Sequence, residues 1–423
     1  MEKFLPTPSD FQDSRKFWRQ DLVAGITVGI VALPLALAFG ITTGTGATSG
    51  LITAIIAGFI AAIFGGSNYQ VSGPTGAMTV VLVPIVQEYG SPALVPLGVG
   101  AGIIVVIAGL LKSGSIINKV PWPVMEGFTF GIALVIALQQ LPGALAIASQ
   151  HGKGTIGTAF NTLKSAIDAG INWGSLLIVA LTLLIKFSYP KIASKLKIKF
   201  HIPASFITII LVTLFVSLIG VDTPKVGNLP KGIFKISPIG TDYSLVSLII
   251  PMFEIALLIA IESLLSARIA DGMAHHQESF TAYKPNRELF GQGIASTLSS
   301  IFGGLPATGA IARTGVNVRS GARTRVSAAI HALFLLAAVF FLNPLISEIP
   351  AATLAGILIG TSYRIARPSA IKEALATTKI DAIVLIITAA IVLFIDLIWG
   401  IAIGTLLYFL LKNISKAKNR SSR

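Results

Sequence analysis

Apolar runs of roughly 17 to 25 residues, the length that a bilayer-crossing helix needs, recur along almost the whole chain. Short polar or glycine-rich breaks separate them. The runs are continuous rather than alternating, which excludes a membrane β-barrel. They predict fourteen spans near 21–42, 49–65, 74–88, 93–111, 120–141, 173–189, 202–219, 244–268, 289–302, 311–320, 324–342, 350–364, 380–395 and 397–411. The third and tenth are too short to cross ~30 Å of hydrocarbon as helices alone. Each follows a glycine-rich stretch, so each is predicted to be a half-helix completed by an extended piece that protein must cover.

The two breaks echo one another. Ile63-Phe64-Gly65-Gly66 leads on to Ser72-Gly73-Pro74-Thr75-Gly76, and Ile301-Phe302-Gly303-Gly304 leads on to Thr308-Gly309 and Arg313-Thr314-Gly315. A second echo has the same sense: Pro121, Gly127 and Gly131 open the fifth span, and Pro350, Gly356 and Gly360 open the twelfth at the same spacing. Proline is tolerated at a helix start because its missing N–H needed no partner, and glycines four apart make a flat face for close packing. Seven spans separate each echo from its partner, and a repeat with an odd number of spans must be inverted. The predicted fold is therefore an all-α integral membrane protein of 14 transmembrane segments in two inverted repeats of seven. Short extended pieces precede half-helices three and ten.

Composition agrees with this pattern. The 423 residues are 53% hydrophobic and 12% charged, with no cysteine and a mean hydropathy of +0.82; a soluble domain carries about 25% charged residues. The polar stretch Met1–Gln20 lacks the apolar core of a cleaved signal peptide. Without cysteine there are no disulfides, thiolate metal sites or cysteine nucleophiles. A net charge of +14 raises the question of nucleic acid, but the charges lie at span ends and in short loops, which is a topology signal. Lys153, Lys164, Lys225, Lys231 and Lys235 fall on the predicted outside and Arg313 within the membrane; every other Lys and Arg among the 32 falls on the predicted inside. Both termini are therefore expected in the cytoplasm of a multi-pass cell-membrane protein. Two longer outside loops follow, 142–172 with an amphipathic helix near Gly157–Ala169, and 220–243 as an extended connector. Arg367–Thr378 is read as an amphipathic interfacial segment.

Arg313 is the most informative residue. A charge at membrane depth costs at least ~2.5 kcal/mol, and this one follows a glycine-rich break near the start of a half-helix, where free N–H groups already favour anions. The structural alternative is an arginine held only by Glu262 or by a backbone carbonyl. The matching half-helix begins at Pro74-Thr75-Gly76, with the N–H groups of Thr75, Gly76 and Ala77 expected free. Glu262 lies within the eighth span. It could exchange a proton, or bind Na⁺ with hydroxyls such as Ser263 or Ser266; a structural ion pair is the alternative. Glu254 and Asp396 are placed near span ends. Ser72, Thr79 and Thr308 read as hydroxyls that bond helix backbone. The adjacent His275 and His276 have poor metal-ligand spacing, and no glycine run ends in Gly-Lys-Ser/Thr, so neither a metal, a cofactor nor ATP is expected.

At these residues the chain resembles the sulfate permease family (SulP), the bacterial relatives of the SLC26 anion transporters. The resemblance covers nearly the whole chain. It is most specific in Asp21-Leu22-Val23-Ala24-Gly25 through Ala32-Leu33-Pro34, in Gly65-Gly66 with Val71-Ser72-Gly73-Pro74-Thr75, and in Glu288-Leu289-Phe290-Gly291-Gln292-Gly293. Phe302-Gly303-Gly304 to Arg313-Thr314, then Asn317 and Ser320-Gly321-Ala322-Arg323-Thr324, complete it. It implies a core domain of spans 1–4 and 8–11 (residues 21–112 and 220–342) moving against a gate domain of spans 5–7 and 12–14 (113–219 and 343–412). Residues 1–20 and 413–423 are cytoplasmic ends. The anion is expected between spans three and ten, with Phe39, Thr75, Ala312 and Arg313 lining the site, Thr314 beside them, and Glu262 at the family's acidic position. Leu35 stands where many members have a glutamine. The STAS domain that usually follows the last span has no counterpart in these residues, so the likeness is to the membrane domain.

Some cyanobacterial members of the family this chain resembles, which move bicarbonate with Na⁺, have aspartate at the span-eight position and no arginine on span ten. Glu262 and Arg313 together favour proton-coupled transport of a sulfate- or dicarboxylate-like anion, with Na⁺-coupled bicarbonate transport or anion exchange as alternatives. A nucleobase permease of the related 7+7 fold would place carboxylates rather than an arginine at its substrate; an anion channel or a non-transporting scaffold is a third class. The expected partners are a small anion, a coupling proton or Na⁺, and the lipid bilayer, with no nucleic acid and a homodimer left open.

Overall fold

A computed structural model of the chain describes residues 4–148, 152, 154–196, 203–229, 236–238, 240, 244–278, 280–366, 371–373 and 377–421. In order, its main elements are α1 (Ser14–Thr42), α2 (Ala47–Phe64), β1 (Ser72–Gly73), α3 (Gly76–Tyr89), α4 (Leu94–Leu110), α5 (Trp122–Gln139), α6 (Gly154–Ala169), α7 (Trp173–Lys195) and α8 (Ala204–Ile219). There follow α9 (Ile249–Ala274), α10 (Pro285–Ile301), β2 (Thr308–Gly309), α11 (Ile311–Arg319), α12 (Val326–Ser347), α13 (Ala351–Ala366), α14 (Lys379–Phe394) and α15 (Leu397–Ser421).

Eight helices among the described residues are long and apolar enough to cross a membrane, and Gly76–Tyr89 and Ala204–Ile219 are shorter apolar helices. Helix ends depart most from expectation at α1, which begins at Ser14, and α15, which runs to Ser421. Hydropathy marks only the apolar part, whereas a helix continues through polar residues of good propensity until something breaks it. The interfacial segment expected at Arg367–Thr378 falls largely outside the described residues. The amphipathic helix in the first long loop is α6, which buries Ala159, Thr162 and Ala166 and exposes Phe160 and Ile167. In the second loop the backbone of Val226 and Gly227 bonds the carbonyls of Ile349 and Ser347.

The chain forms two compact units, one of Met1–Ser115, Gly143–Ala146 and Asn172–Ile357, the other of Ile116–Pro142, Ile147–Ile171 and Leu358–Arg423. In the first, α1 lies on α12 so closely that a Cβ on Gly25 would stand 2.5 Å from the Ser327 carbonyl oxygen. Helices α4 and α10 cross where a Cβ on either Gly102 or Gly293 would stand 2.6 Å from the other's carbonyl oxygen. Small residues let such backbones approach and gain dispersion contacts that lipid cannot supply. In the second unit, Gly127 and Gly131 of α5 face α14, where added Cβ atoms would meet the Leu385 carbonyl oxygen at 2.5 Å and Val392 Cγ1 at 2.6 Å. The flat face read from the glycine spacing is therefore used.

Polar ends within the first unit are tied by carboxylates. Asp21 accepts from the backbone N–H groups of Arg323 (2.8 Å) and Thr324 (3.0 Å) and from the Thr324 hydroxyl. Asp10, in the single turn Pro8–Phe11, accepts from Arg287 Nη1 at 2.8 Å and from Thr7 N at 2.8 Å. Burial by itself would raise the Asp10 pKa, but the bonds from Arg287 and Thr7 and the charge of Arg325 outweigh it and hold the carboxyl well below the usual carboxylate range. A carboxyl depressed in the folded state stabilises above its unfolded pKa of about 3.9, and that contribution is lost as the pH falls below it. The melting temperature of the unaltered chain should therefore exceed that of Asp10→Asn by a margin that is constant from about pH 8 to 5 and shrinks only below about pH 4. Thermal unfolding in detergent across this range checks it; a margin that already closes between pH 7 and 5 contradicts it.

Candidate functional site

The two extended pieces pair with each other. β1 and β2 run antiparallel with Ser72 opposite Gly309 and Gly73 opposite Thr308, and the Ala310 N–H donates to the Val71 carbonyl at 2.9 Å. Backbone that is not helical has no internal partners, and hydrocarbon offers none, so each piece satisfies the other. Hydroxyls cover much of the remainder: Thr314 Oγ1 accepts from Val71 N at 3.0 Å, Ser263 Oγ from Gly309 N at 3.0 Å, and Thr53 Oγ1 from Leu305 N at 2.6 Å. Immediately beyond the strands α3 and α11 begin, so their N-termini are brought together with Thr75 and Ala310 as the capping residues.

Glu262, partly exposed on α9, meets the crossing from a third direction. The Thr75 hydroxyl donates to its Oε2 at 2.7 Å and the Thr308 hydroxyl to the same oxygen at 2.6 Å. Thr75 Oγ1 also accepts from Met78 N at 3.3 Å, which makes it the N-cap of α3. One threonine thus links the carboxylate to the positive end of a helix. Gly76 and Ala77 occupy the first turn, where backbone N–H groups have no intrahelical acceptor.

Arg313 is buried at 2% exposure. Its Nη2 donates to the Pro74 carbonyl at 2.8 Å, while Nη1 has no hydrogen-bond partner among the described residues. The guanidinium lies over Gly73, whose φ of +150° disfavours side chains and where a Cβ would stand 2.7 Å from Nη1. Arg313 and Glu262 are not within ion-pair distance, although each feels the other's charge. Of the two structural alternatives for Arg313, the carbonyl tie exists, yet it engages only one of the two terminal nitrogens.

The structure brings Thr75, Gly76, Ala77, Glu262 and Arg313 together around the crossing. Phe39 is buried on α1, a helix that packs against both α3 and α11. Ala312 is exposed. Thr314 is buried with its hydroxyl committed to Val71 N and Ser266 Oγ (3.1 Å), so Ser266 bonds to Thr314 here and not to Glu262. Thr79 bonds the Thr75 carbonyl at 2.9 Å as a helical hydroxyl should. Ser72 and Thr308 do not behave that way. They lie in strands, where no carbonyl one turn back is available, and they bond Gln292 and Glu262 instead. Sequence reasoning missed Gln70 and His331, whose buried side-chain nitrogens and oxygen have no partner among the described residues; nothing in the sequence separates them from ordinary core polar residues.

Broken helices meeting at a buried arginine and a hydroxyl-bound carboxylate define a membrane transporter rather than an enzyme or a structural bundle. The sulfate permease family model matches residues 18–388. The chain belongs to that family, whose members are transporters. A Bacillus subtilis protein named "Putative sulfate transporter YvdB" is 34% identical over 400 residues, covering 93% of this chain and 73% of its own. The bicarbonate transporter BicA of Picosynechococcus is 31% identical over 402 residues, with 91% of this chain and 68% of that one covered. Among solved structures, the transmembrane domain of a cyanobacterial BicA superposes with a TM-score of 0.81 at 29% identity, over 96% of this chain and all of that one. SLC26A9 superposes with a TM-score of 0.82 at 16% identity over 95% of this chain and 66% of that one, a likeness of fold alone.

The Gly73 geometry makes a test. Gly73→Ala sets a methyl against Arg313 Nη1 in an unfavourable backbone region, whereas a Cβ on Gly272 of α9 meets nothing within 4 Å. Gly73→Ala should lower the melting temperature in detergent, and Gly272→Ala should hold or raise it, since alanine is better than glycine in a helix by about 0.5–1 kcal/mol. Equal melting temperatures for the two variants would contradict the close seating of Arg313.

Proposed function

We propose that the chain is a secondary active transporter of small inorganic or organic anions, sulfate- or dicarboxylate-like, coupled to protons. The anion binds between α3 and α11. The reading rests above all on Arg313, a buried guanidinium with one bare terminal nitrogen beside two helix N-termini. Such a site attracts an anion through charge-assisted hydrogen bonds and through the free N–H groups of Gly76 and Ala77. Membership of the sulfate permease family supports the anion class.

Charge explains the coupling. Arg313 and ionised Glu262 sum to zero, so an arriving anion leaves the site with a net negative charge in a medium where unpaired charge is costly. A proton on Glu262 changes the sum to positive. It also makes the carboxyl a poorer acceptor, so the Thr75 hydroxyl is released to donate to the anion. Proton and anion then bind together and leave together. Na⁺ at the same carboxylate would do the same electrostatic work, and the name of the BicA relatives makes bicarbonate the competing substrate.

The surrounding architecture on this reading is 14 segments in two inverted repeats of seven, with both termini cytoplasmic. The core domain (residues 21–112 and 220–342) carries the site and moves against the gate domain (113–219 and 343–412) to alternate access. Phe39 and Ala312 face the anion, and Thr314 and Ser266 position the strand beneath it.

Proteoliposome uptake of sulfate, succinate and bicarbonate under imposed pH or Na⁺ gradients tests this. Uptake of sulfate or succinate should follow an inward proton gradient. Arg313→Ala should weaken apparent affinity by about 10- to 100-fold, the worth of a charged hydrogen bond. Glu262→Gln should abolish the response to pH while the protein remains folded. Wild-type affinity in Arg313→Ala, or uptake indifferent to the proton gradient, would overturn the corresponding assignment.

A further inference from the structure

Residues 4–11 lie against the N-terminal part of α10 and against Arg325, the residue before α12, in the first unit. The Phe4 ring packs on Phe290 with centroids 5.3 Å apart, and Phe11 lies under the Arg325 guanidinium at 5.8 Å. Between them Asp10 bonds Arg287 Nη1 at 2.8 Å and stands 3.8 Å from Arg325 Nη2. Both arginines are buried, Arg287 at 1% and Arg325 at 3% exposure. A buried guanidinium without a counter-charge is strongly unfavourable. The neighbouring acid, Glu288, is itself committed to the N–H groups of Gly66 and Ser67. Asp10 and Glu288 together balance Arg287 and Arg325; without Asp10 the group carries an uncompensated positive charge.

What these four residues hold is the root of the first extended piece. Arg287 Nε donates to the Phe64 carbonyl at 3.3 Å. Arg325 Nη1 donates to the carbonyls of Ile63 (3.2 Å) and Gly65 (3.1 Å), and its Nε and Nη2 reach Asn68 Oδ1 at 3.2 and 3.1 Å. Glu288 takes the next two N–H groups at 2.8 and 3.0 Å. Past the end of α2 the backbone of Gly65, Gly66 and Ser67 is thereby held largely by side chains, with the Lys284 N–H donating to the Gly66 carbonyl at 3.1 Å. It continues into β1, and then into Pro74, which accepts from Arg313, and Thr75, which donates to Glu262.

We propose that Asp10 is a positioning residue for the anion site: residues 4–11 form a strap that, through Arg287 and Arg325, sets the extended segment on which Gly73, Pro74 and Thr75 stand. This rests on the anion-site reading for its functional consequence, but its structural half does not. Losing the strap's carboxylate loosens both arginines, and the segment from 62 to 75 then has to be ordered anew each time an anion binds. The cost falls on affinity more than on maximal rate.

The test uses the full chain with Asp10→Asn and Asp10→Glu. In detergent, hydrogen exchange of backbone amides over 62–75 should rise by about tenfold or more in Asp10→Asn, the scale of a charged hydrogen bond lost from a locally opening segment. Exchange over 122–139, in the other unit, should be unchanged. In proteoliposomes, the KM for whichever of sulfate, succinate or bicarbonate the unaltered chain carries should rise severalfold in Asp10→Asn with little change in maximal rate, and Asp10→Glu should recover most of both effects. Unchanged exchange over 62–75, exchange raised equally over 122–139, or a fall in maximal rate at constant KM would each overturn the proposal. If the unaltered chain carries none of sulfate, succinate and bicarbonate, the anion reading fails by itself, and the exchange measurement still decides whether Asp10 positions the segment.

Discussion

Non-helical backbone inside hydrocarbon must find its partners within the protein, and this chain answers that requirement by crossing its two extended pieces over each other. Much else about the site follows from that pairing. It brings the starts of α3 and α11 to the same pair of strands. It brings residues 72 and 73 against residues 308 and 309, so that a hydroxyl from each side of the crossing reaches Glu262. It also dictates a glycine at 73, because Arg313 has to lie flat on the strand to reach the Pro74 carbonyl. Helices α2, α9 and α10 pack against the two strands, whose four residues are all buried.

Within this frame the opposite charges of Arg313 and Glu262 are held near each other without being spent on each other. A direct buried ion pair would satisfy both groups and leave little for a ligand. Here the carboxylate takes two neutral hydroxyls, and the guanidinium takes one carbonyl and keeps a terminal nitrogen bare. On the proposed reading, this arrangement would answer to one added proton and one added anion.

The parts of this site that break the hydrophobic pattern were legible from the sequence. The glycine- and proline-rich interruptions marked both half-helices, and Arg313 and Glu262 stood out because a charge in an apolar run needs a reason. The pairing of β1 with β2 was not legible, because residues 72 and 309 meet only through tertiary structure. For the same reason Ser72 and Thr308 looked like helical hydroxyls, since a hydroxyl's partner depends on whether its own backbone is helical. Arg287 and Arg325 read as markers of membrane topology and are in fact buried. Their carboxylate partner lies 277 residues from Arg287 in a polar segment that resembles a tether. Charge counting assigns such residues a side of the membrane; it does not see which of them face each other.

The most direct test of the account is to locate the anion itself. Selenate is a close analogue of sulfate with a strong anomalous signal, and a crystal of the purified chain grown in it would place the bound ion without reference to transport. The account predicts a single strong anomalous peak within hydrogen-bond reach of Arg313 Nη1 and the N–H groups of Gly76 and Ala77. A selenate peak elsewhere, with that position unoccupied while the ion competes for uptake, would contradict it.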